Sequence, residues 1–166
     1  MFHKNAHCSF CGHAFAAQQP WPRQCVACLN TSYRNPLPVS VVLVPLGSGL
    51  LVVRRGIEPR KGQLALPGGF IEVGESWQQA GAREVREETG LVVSPEEIRD
   101  FRVLSAPDGT VLIFGLAEPR EESALPELVP NPETESLEIL RAPAPLAFPL
   151  HTQVAVEYFT RRGTGA

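Results

Sequence analysis

Four cysteines, all within the first 28 residues, constrain the chain most. They stand as Cys8-Ser9-Phe10-Cys11 and Cys25-Val26-Ala27-Cys28, with 13 residues between the pairs. Two short Cys-x-x-Cys turns can close four thiolates around one tetrahedral Zn²⁺ at about 2.3 Å, and Gly12 suits the tight turn after the first pair. Two disulfides would need an oxidising compartment, and a redox pair would not need a duplicate. The spacing therefore predicts a small module, residues 1–34, built on a structural zinc bound by Cys8, Cys11, Cys25 and Cys28. With four thiolates the coordination shell is closed, so this metal is not expected to meet substrate.

The prolines of Tyr33-Arg34-Asn35-Pro36-Leu37-Pro38 favour an extended connection, and a second domain, 35–166, is expected to follow. Val39 to Val44 and Leu50 to Val53 are β-branched runs flanking Gly47-Ser48-Gly49, the pattern of a hairpin. Strands are also expected at Phe101 to Leu104 and Thr110 to Ala117, around the turn Pro107-Asp108-Gly109. Helical patterns cover Ser76 to Thr89 and His151 to Arg162. Such a mixture predicts α/β or α+β layers. Glu118 to Ala147, rich in Pro and Glu, gives the weakest structural signal.

With 15 basic against 18 acidic residues, a net charge of −3 and no long single-sign run, the chain is not expected to bind nucleic acid through charge alone. The apolar stretch Leu37 to Leu46 is interrupted by Pro38, Ser40 and Pro45, and it is far short of the roughly 20 residues of a membrane-spanning helix. The N-terminus lacks the continuous apolar core of a secretory signal. A cytoplasmic location is the expectation.

The first of the two helices carries the chemistry. Ser76-Trp77-Gln78-Gln79 has the form of a capping box, and Gly90 suits the position after the last turn. Between them Glu84, Glu87 and Glu88 stand at i, i+3 and i+4, three carboxylates gathered on one face. Like charges at that spacing oppose one another, and acids in the last turn oppose the helix dipole. A hard divalent cation such as Mg²⁺ would turn that repulsion into coordination. The alternative is a solvated acidic face with Arg83 and Arg86 in surface ion pairs. Favouring a ligand site, Leu66-Pro67-Gly68-Gly69-Phe70-Ile71-Glu72 runs into the helix, and paired glycines permit close backbone approach.

The run as a whole is Gly69, five residues, Glu75, seven residues, then Arg83-Glu84-Val85-Arg86-Glu87-Glu88-Thr89-Gly90-Leu91. It resembles the signature of the Nudix hydrolases and fills every fixed position of it. The cysteine module, Tyr33-Arg34-Asn35-Pro36 and Gly62 to Glu75 resemble the zinc-ribbon subgroup of that family, which has NADH pyrophosphatase-like and FAD or ADP-ribose pyrophosphatase-like members. The resemblance implies an α/β/α sandwich with a mixed sheet behind a small zinc ribbon. It implies Mg²⁺ or Mn²⁺ held by Glu84, Glu87, Glu88 and the Gly68 carbonyl, with Arg83 pairing Glu75 or Glu87 to steady the carboxylates and Glu75 structural.

The reaction it implies is hydrolysis of a nucleoside diphosphate linked to another group, with release of a mononucleotide. Metal ions neutralise phosphate charge and activate water, and a carboxylate takes the proton. No nucleophile elbow or Walker loop competes with that chemistry. Relatives often place a base beyond the signature. Glu135 is favoured from the run Glu133-Thr134-Glu135-Ser136-Leu137-Glu138, against a set of solvated loop acids. Arg54 and Arg55, leaving the second strand, are candidates for substrate phosphate, against an ordinary edge-strand role.

NADH-preferring relatives carry Ser-Gln-Pro-Trp downstream of the signature. Here the Trp residues are Trp21 and Trp77 only, so an ADP-containing substrate such as FAD, ADP-ribose or NAD(H) is expected without preference for NADH. Pro107, 16 residues after Leu91, matches a placement in ADP-ribose pyrophosphatases. Partners are then small nucleotides, with a capped RNA end the one nucleic-acid substrate admitted, and a homodimer is left open. The competing reading is a non-catalytic nucleotide sensor or a zinc-ribbon nucleic-acid adaptor on the same fold. The intact acids argue against the sensor, and the ribbon's few basic residues, Lys4 and Arg23 before Arg34, argue against the adaptor.

Overall fold

Gly12 and Leu29 both stand at positive φ, 75° and 60°, and each closes a cysteine turn of the computed structural model. The Gly12 amide donates to the Cys8 carbonyl at 3.0 Å and the Leu29 amide to the Cys25 carbonyl at 2.9 Å. The two knuckles thus share one geometry, although only the first has the residue that adopts it freely. Residues 4–129 and 131–163 are described. The chain divides into two compact units, one ending at Pro36 and one beginning at Leu37. In the first, a hairpin of β1 (Arg23–Gln24) and β2 (Thr31–Ser32) carries the second knuckle. The Arg23 guanidinium stacks 4.6 Å from the centre of Trp21.

The second unit runs β3 (Leu37–Leu43), β4 (Pro45–Leu46), β5 (Gly49–Arg55), β6 (Leu64–Ala65), β7 (Gly68–Phe70), α1 (Trp77–Thr89), β8 (Arg99–Ser105), β9 (Thr110–Leu116), β10 (Thr134–Leu140) and α2 (Pro149–Gly163). Its mixed sheet has the order β7-β3-β9-β8, with β3 parallel to β9 and antiparallel to β7. In the other sheet β5 is flanked by β10 and by β4 and β6.

Alternation along the strands builds two cores. Val41 and Leu43 of β3, with Leu50 and Val52 of β5, pack against Val154, Ala155 and Tyr158 of α2. Val42 and Val44, with Leu51, pack against Ala82 and Val85 of α1. Strands buried on both faces must be apolar at consecutive positions, which is why these runs do not alternate in hydropathy. The result is the α/β/α sandwich with a mixed sheet.

The expected hairpin differs in its first strand. Gly47 and Ser48 do make the turn, but Pro45 and Leu46 are the residues paired with Leu50 and Gly49. Residues 37–43 instead pair with β7 and β9. Pro45 has no amide to continue a ladder, so the chain changes sheets there.

Helix α1 begins and ends as its caps dictate. The Gln79 amide donates to Ser76 Oγ at 3.2 Å, the Ser76 amide to Gln79 Oε1 at 2.8 Å, and Gly90, at φ 73°, donates to the Arg86 carbonyl. Helix α2 begins two residues before His151, with Pro149 at its first position, where the missing amide costs nothing. Strand β10 lies inside the segment of weakest sequence signal. No helix among the described residues is long and apolar enough to cross a membrane.

Candidate active site

Two glycines bring β7 against both β3 and α1. A Cβ on Gly68 would stand 2.3 Å from the Ser40 carbonyl oxygen, and one on Gly69 would stand 2.3 Å from Glu84 Oε1. At Gly68 the obstacle is fixed backbone and no side chain fits; at Gly69 one would displace the Glu84 carboxylate. The close approach lets the Gly68 amide donate to Glu88 Oε2 at 3.0 Å. Glu88 is 7% exposed, although it is an acid in the last turn of a helix. Burial pushes its carboxyl up to about 8; the Gly68 amide works against that shift, and the charges of Glu84 and Glu133 add to it. Burial also raises Glu84, against the opposing pull of Arg83.

Arg83 organises the remaining acids with all five of its N–H donors. Nε and Nη2 reach the two oxygens of Glu75 at 2.8 and 3.1 Å, Nη1 reaches Glu84 at 2.7 Å and Glu87 at 3.1 Å, and Nη2 also reaches the Phe70 carbonyl at 3.0 Å. The guanidinium holds Glu75 below the usual carboxylate range, helped by the Glu72 amide. Arg83 therefore pairs with both residues offered for it, Glu75 and Glu87.

Beyond the helix, the structure separates neighbours in the sequence. Glu133 is the acid of the 133–138 run whose charge reaches Glu84 and Glu88. Asn131 Oδ1 accepts from the amides of Glu133 and Thr134 at 3.0 and 2.8 Å. The Gly56 amide, at the end of β5, donates to the Glu133 carbonyl at 2.6 Å. A Cβ on Gly56 would stand 2.3 Å from the Pro132 oxygen. Glu135 faces Lys61 instead, at 3.8 Å.

The two arginines part likewise. Arg54 is bound to Glu138 Oε1 through Nε (3.0 Å) and Nη2 (2.6 Å) and to the Gly62 carbonyl through Nη1 (2.6 Å). Arg55 lies with its guanidinium 5.1 Å from the centre of the Phe148 ring, donates to the Pro59 carbonyl, and is close enough to Glu88 to oppose its protonation. Glu133, Asn131 and Gly56 escaped sequence reasoning because only the loop geometry distinguishes Glu133 from its neighbours. A glycine at the end of a strand was the one signal of close approach.

In the first unit Cys8, Cys11, Cys25 and Cys28 are free thiols with ligand atoms all within 4.8 Å of one another. The separations Cys8–Cys28 and Cys11–Cys25 are 3.7 and 3.6 Å. Two sulfurs on one tetrahedral Zn²⁺ at its usual bond length lie about 3.8 Å apart, so the cluster is suited to that ion. The acids of α1 do not form so tight a set; Arg83 stands between Glu84 and Glu87.

An α/β/α sandwich in which paired glycines deliver a strand end onto an acid-bearing helix defines the class, and the family model for the NUDIX domain matches residues 35–155. The chain belongs to the Nudix family. A crystal structure of a NUDIX hydrolase from Nitrosomonas europaea superposes with a TM-score of 0.77 at 26% identity, over 96% of this chain and 93% of that one. Among curated relatives, the NAD-capped RNA hydrolase NudC of Edwardsiella ictaluri is 37% identical over 93 residues, covering 55% of this chain and 36% of the relative. The ADP-ribose pyrophosphatase of Methanocaldococcus jannaschii is 37% identical over 76 residues, 46% of this chain and 44% of the relative. The match thus spans less than half the length of either relative.

Proposed function

We propose that the protein is a divalent-metal-dependent pyrophosphohydrolase of ADP-containing dinucleotide-type compounds, releasing a mononucleotide. The observation that carries this reading is the burial of Glu88 against Gly68 and the partial burial of Glu84 against Gly69, with the charge of Glu133 reaching both acids and that of Arg55 reaching Glu88. A solvated acidic face would have no reason to bury its carboxylates. The names of the relatives, one acting on NAD-capped RNA and one on ADP-ribose, support an ADP moiety as the shared element.

The donor set fits Mg²⁺ or Mn²⁺. Its atoms are hard oxygens, and burial raises the carboxyls of Glu84 and Glu88, a cost that a cation removes. Glu84, Glu87, Glu88 and the Gly68 carbonyl would hold the ion, which when bound neutralises phosphate charge and acidifies water. Arg83 keeps Glu84 and Glu87 aimed. Arg55, held by the Pro59 carbonyl and the Phe148 ring rather than by a carboxylate, is the cation for a substrate phosphate, since Arg54 is taken up by Glu138. Glu133, whose charge reaches Glu84 and Glu88, is the candidate for proton removal, with Glu135 the alternative. The domain from residue 35 carries this activity, and the ribbon's zinc is structural.

Purified protein is to be assayed with Mg²⁺ and Mn²⁺ against ADP-ribose, FAD, NADH and NAD-capped RNA, scoring released mononucleotide. Turnover of at least one, with NADH not more than tenfold above the others in kcat/KM, is the expected result. No turnover of any of them under either metal would overturn the proposal.

A further inference from the structure

The segment Leu66-Pro67-Gly68 is held from three sides. The Gly68 amide donates to Glu88 on α1 at 3.0 Å, the Pro67 carbonyl accepts from the Val42 amide on β3 at 2.9 Å, and the Leu66 amide donates to His151 Nδ1 on α2 at 3.3 Å. The last contact comes from a helix that supplies none of the acids. His151 is 6% exposed, with its ring edge-on to Phe114 (centres 5.7 Å apart) and tilted against Phe148 (5.0 Å). The start of α2 is further fastened to the same stretch of chain, because the Ala147 amide donates to the Leu64 carbonyl at 2.7 Å.

We propose that His151 is a positioning residue for the metal site, an acceptor fixed on α2 that sets Leu66-Pro67-Gly68 against Glu88. Its Nδ1 faces a backbone N–H and so must carry a lone pair, which puts the ring proton on Nε2. Leu66 is itself only 2% exposed, so without that acceptor its amide would have to move to find another partner. Pro67 has a fixed φ and passes such a movement on to Gly68. Groups behind the ligands of a metal tune its affinity in this way, by factors of about 10 to 100. Burial agrees with the assignment, since it lowers His151 to about 3, with the Arg55 charge acting in the same direction, and keeps the ring neutral.

The inference rests on the metal site proposed above, and the test separates the two. Mn²⁺ is titrated into the full chain by paramagnetic resonance for wild type, His151→Leu and His151→Asn. Asn places an oxygen where Nδ1 stands; Leu fills the space without an acceptor. Both variants lose the ring contacts and should fall together in Tm. Only His151→Leu should weaken Mn²⁺ binding, by about tenfold or more, with His151→Asn within about threefold of wild type on the same scale.

Equal affinities for the two variants would overturn the role of His151 while leaving the metal site standing. A wild type that binds no Mn²⁺ would overturn both. Should neither variant fold, long-range ¹H–¹⁵N spectra of the wild type decide: an Nε2–H tautomer with a slowly exchanging Leu66 amide supports the proposal, and an Nδ1–H tautomer overturns it.

Discussion

Arg83 grips Glu75 with two parallel bonds, Nε to Oε1 at 2.8 Å and Nη2 to Oε2 at 3.1 Å, across the turn that leads into α1. The pair ties the glycine-rich strand end to the helix, and Nη1 of the same guanidinium reaches Glu84 and Glu87. Glu75→Gln should therefore act on stability, lowering the unfolding midpoint through the lost charge-assisted bonds. Turnover should fall less than about tenfold, while Arg83→Ala, which strands three acids, should cost on the order of 10²-fold. Denaturant unfolding and turnover of both variants check this. A large loss of turnover for Glu75→Gln at unchanged stability would instead make Glu75 a ligand.

Glu88 gives the metal-free protein a definite pH dependence. Its folded value, about 8, lies above that of an unfolded carboxyl. Below the unfolded value both states are protonated and nothing changes. Between the two values the folded state binds the extra proton, so stability falls as pH rises from about 4 to 8 and then levels. Melting curves of the chelated protein should show this fall, Glu88→Gln should flatten it, and turnover of Glu88→Gln with Mg²⁺ should drop about 10²-fold or more. Full turnover at saturating Mg²⁺ would mean that Glu88 holds no metal.

Glu133 and Glu135 are two residues apart and differ in what they face. Glu133→Gln is expected to lower kcat by about 10²-fold, in the usual range for a lost acid or base, and Glu135→Gln by no more than about threefold. Gly56→Ala should resemble Glu133→Gln in kcat, because its methyl would meet the Pro132 carbonyl and displace the loop. The reverse ranking of the two Gln variants would reassign the role to Glu135.

Zinc should be present at one ion per chain in protein purified without chelator, as elemental analysis would show. Cys25→Ser with Cys28→Ser should lose it and open residues 4–36 to protease and hydrogen exchange, since a closed four-thiolate site supplies folding energy directly. A metal-free preparation with a protected ribbon would disprove this.

What the sequence discloses follows from how local each feature is. The limits of α1 were readable because capping is decided within four residues, and the acid cluster because helical spacing is fixed. The Cys-x-x-Cys turns are local in the same sense. Strand β10 was not readable, because its polar residues are set by cross-strand partners on β5, Glu138 by Arg54 among them. The first strand of the hairpin is not decided by the sequence, because a run buried on both faces does not say which sheet it joins. Glu133 and His151 depend on contacts spanning 77 and 85 positions, Glu133 with Gly56 and His151 with Leu66, and no spacing rule reaches so far.

The least conspicuous strand covers the most apolar one. Leu50, Leu51, Val52 and Val53 of β5 are all but fully buried, and six residues of β10 lie along its flank. During synthesis β5 leaves the ribosome some eighty residues ahead of that cover, a delay of several seconds at about 5–20 residues per second. Throughout it, a hydrophobic strand with an open hydrogen-bonding edge is available to other nascent chains. Substitutions that weaken β10 should then show first as lost soluble yield, before any change in the activity of the molecules that do fold.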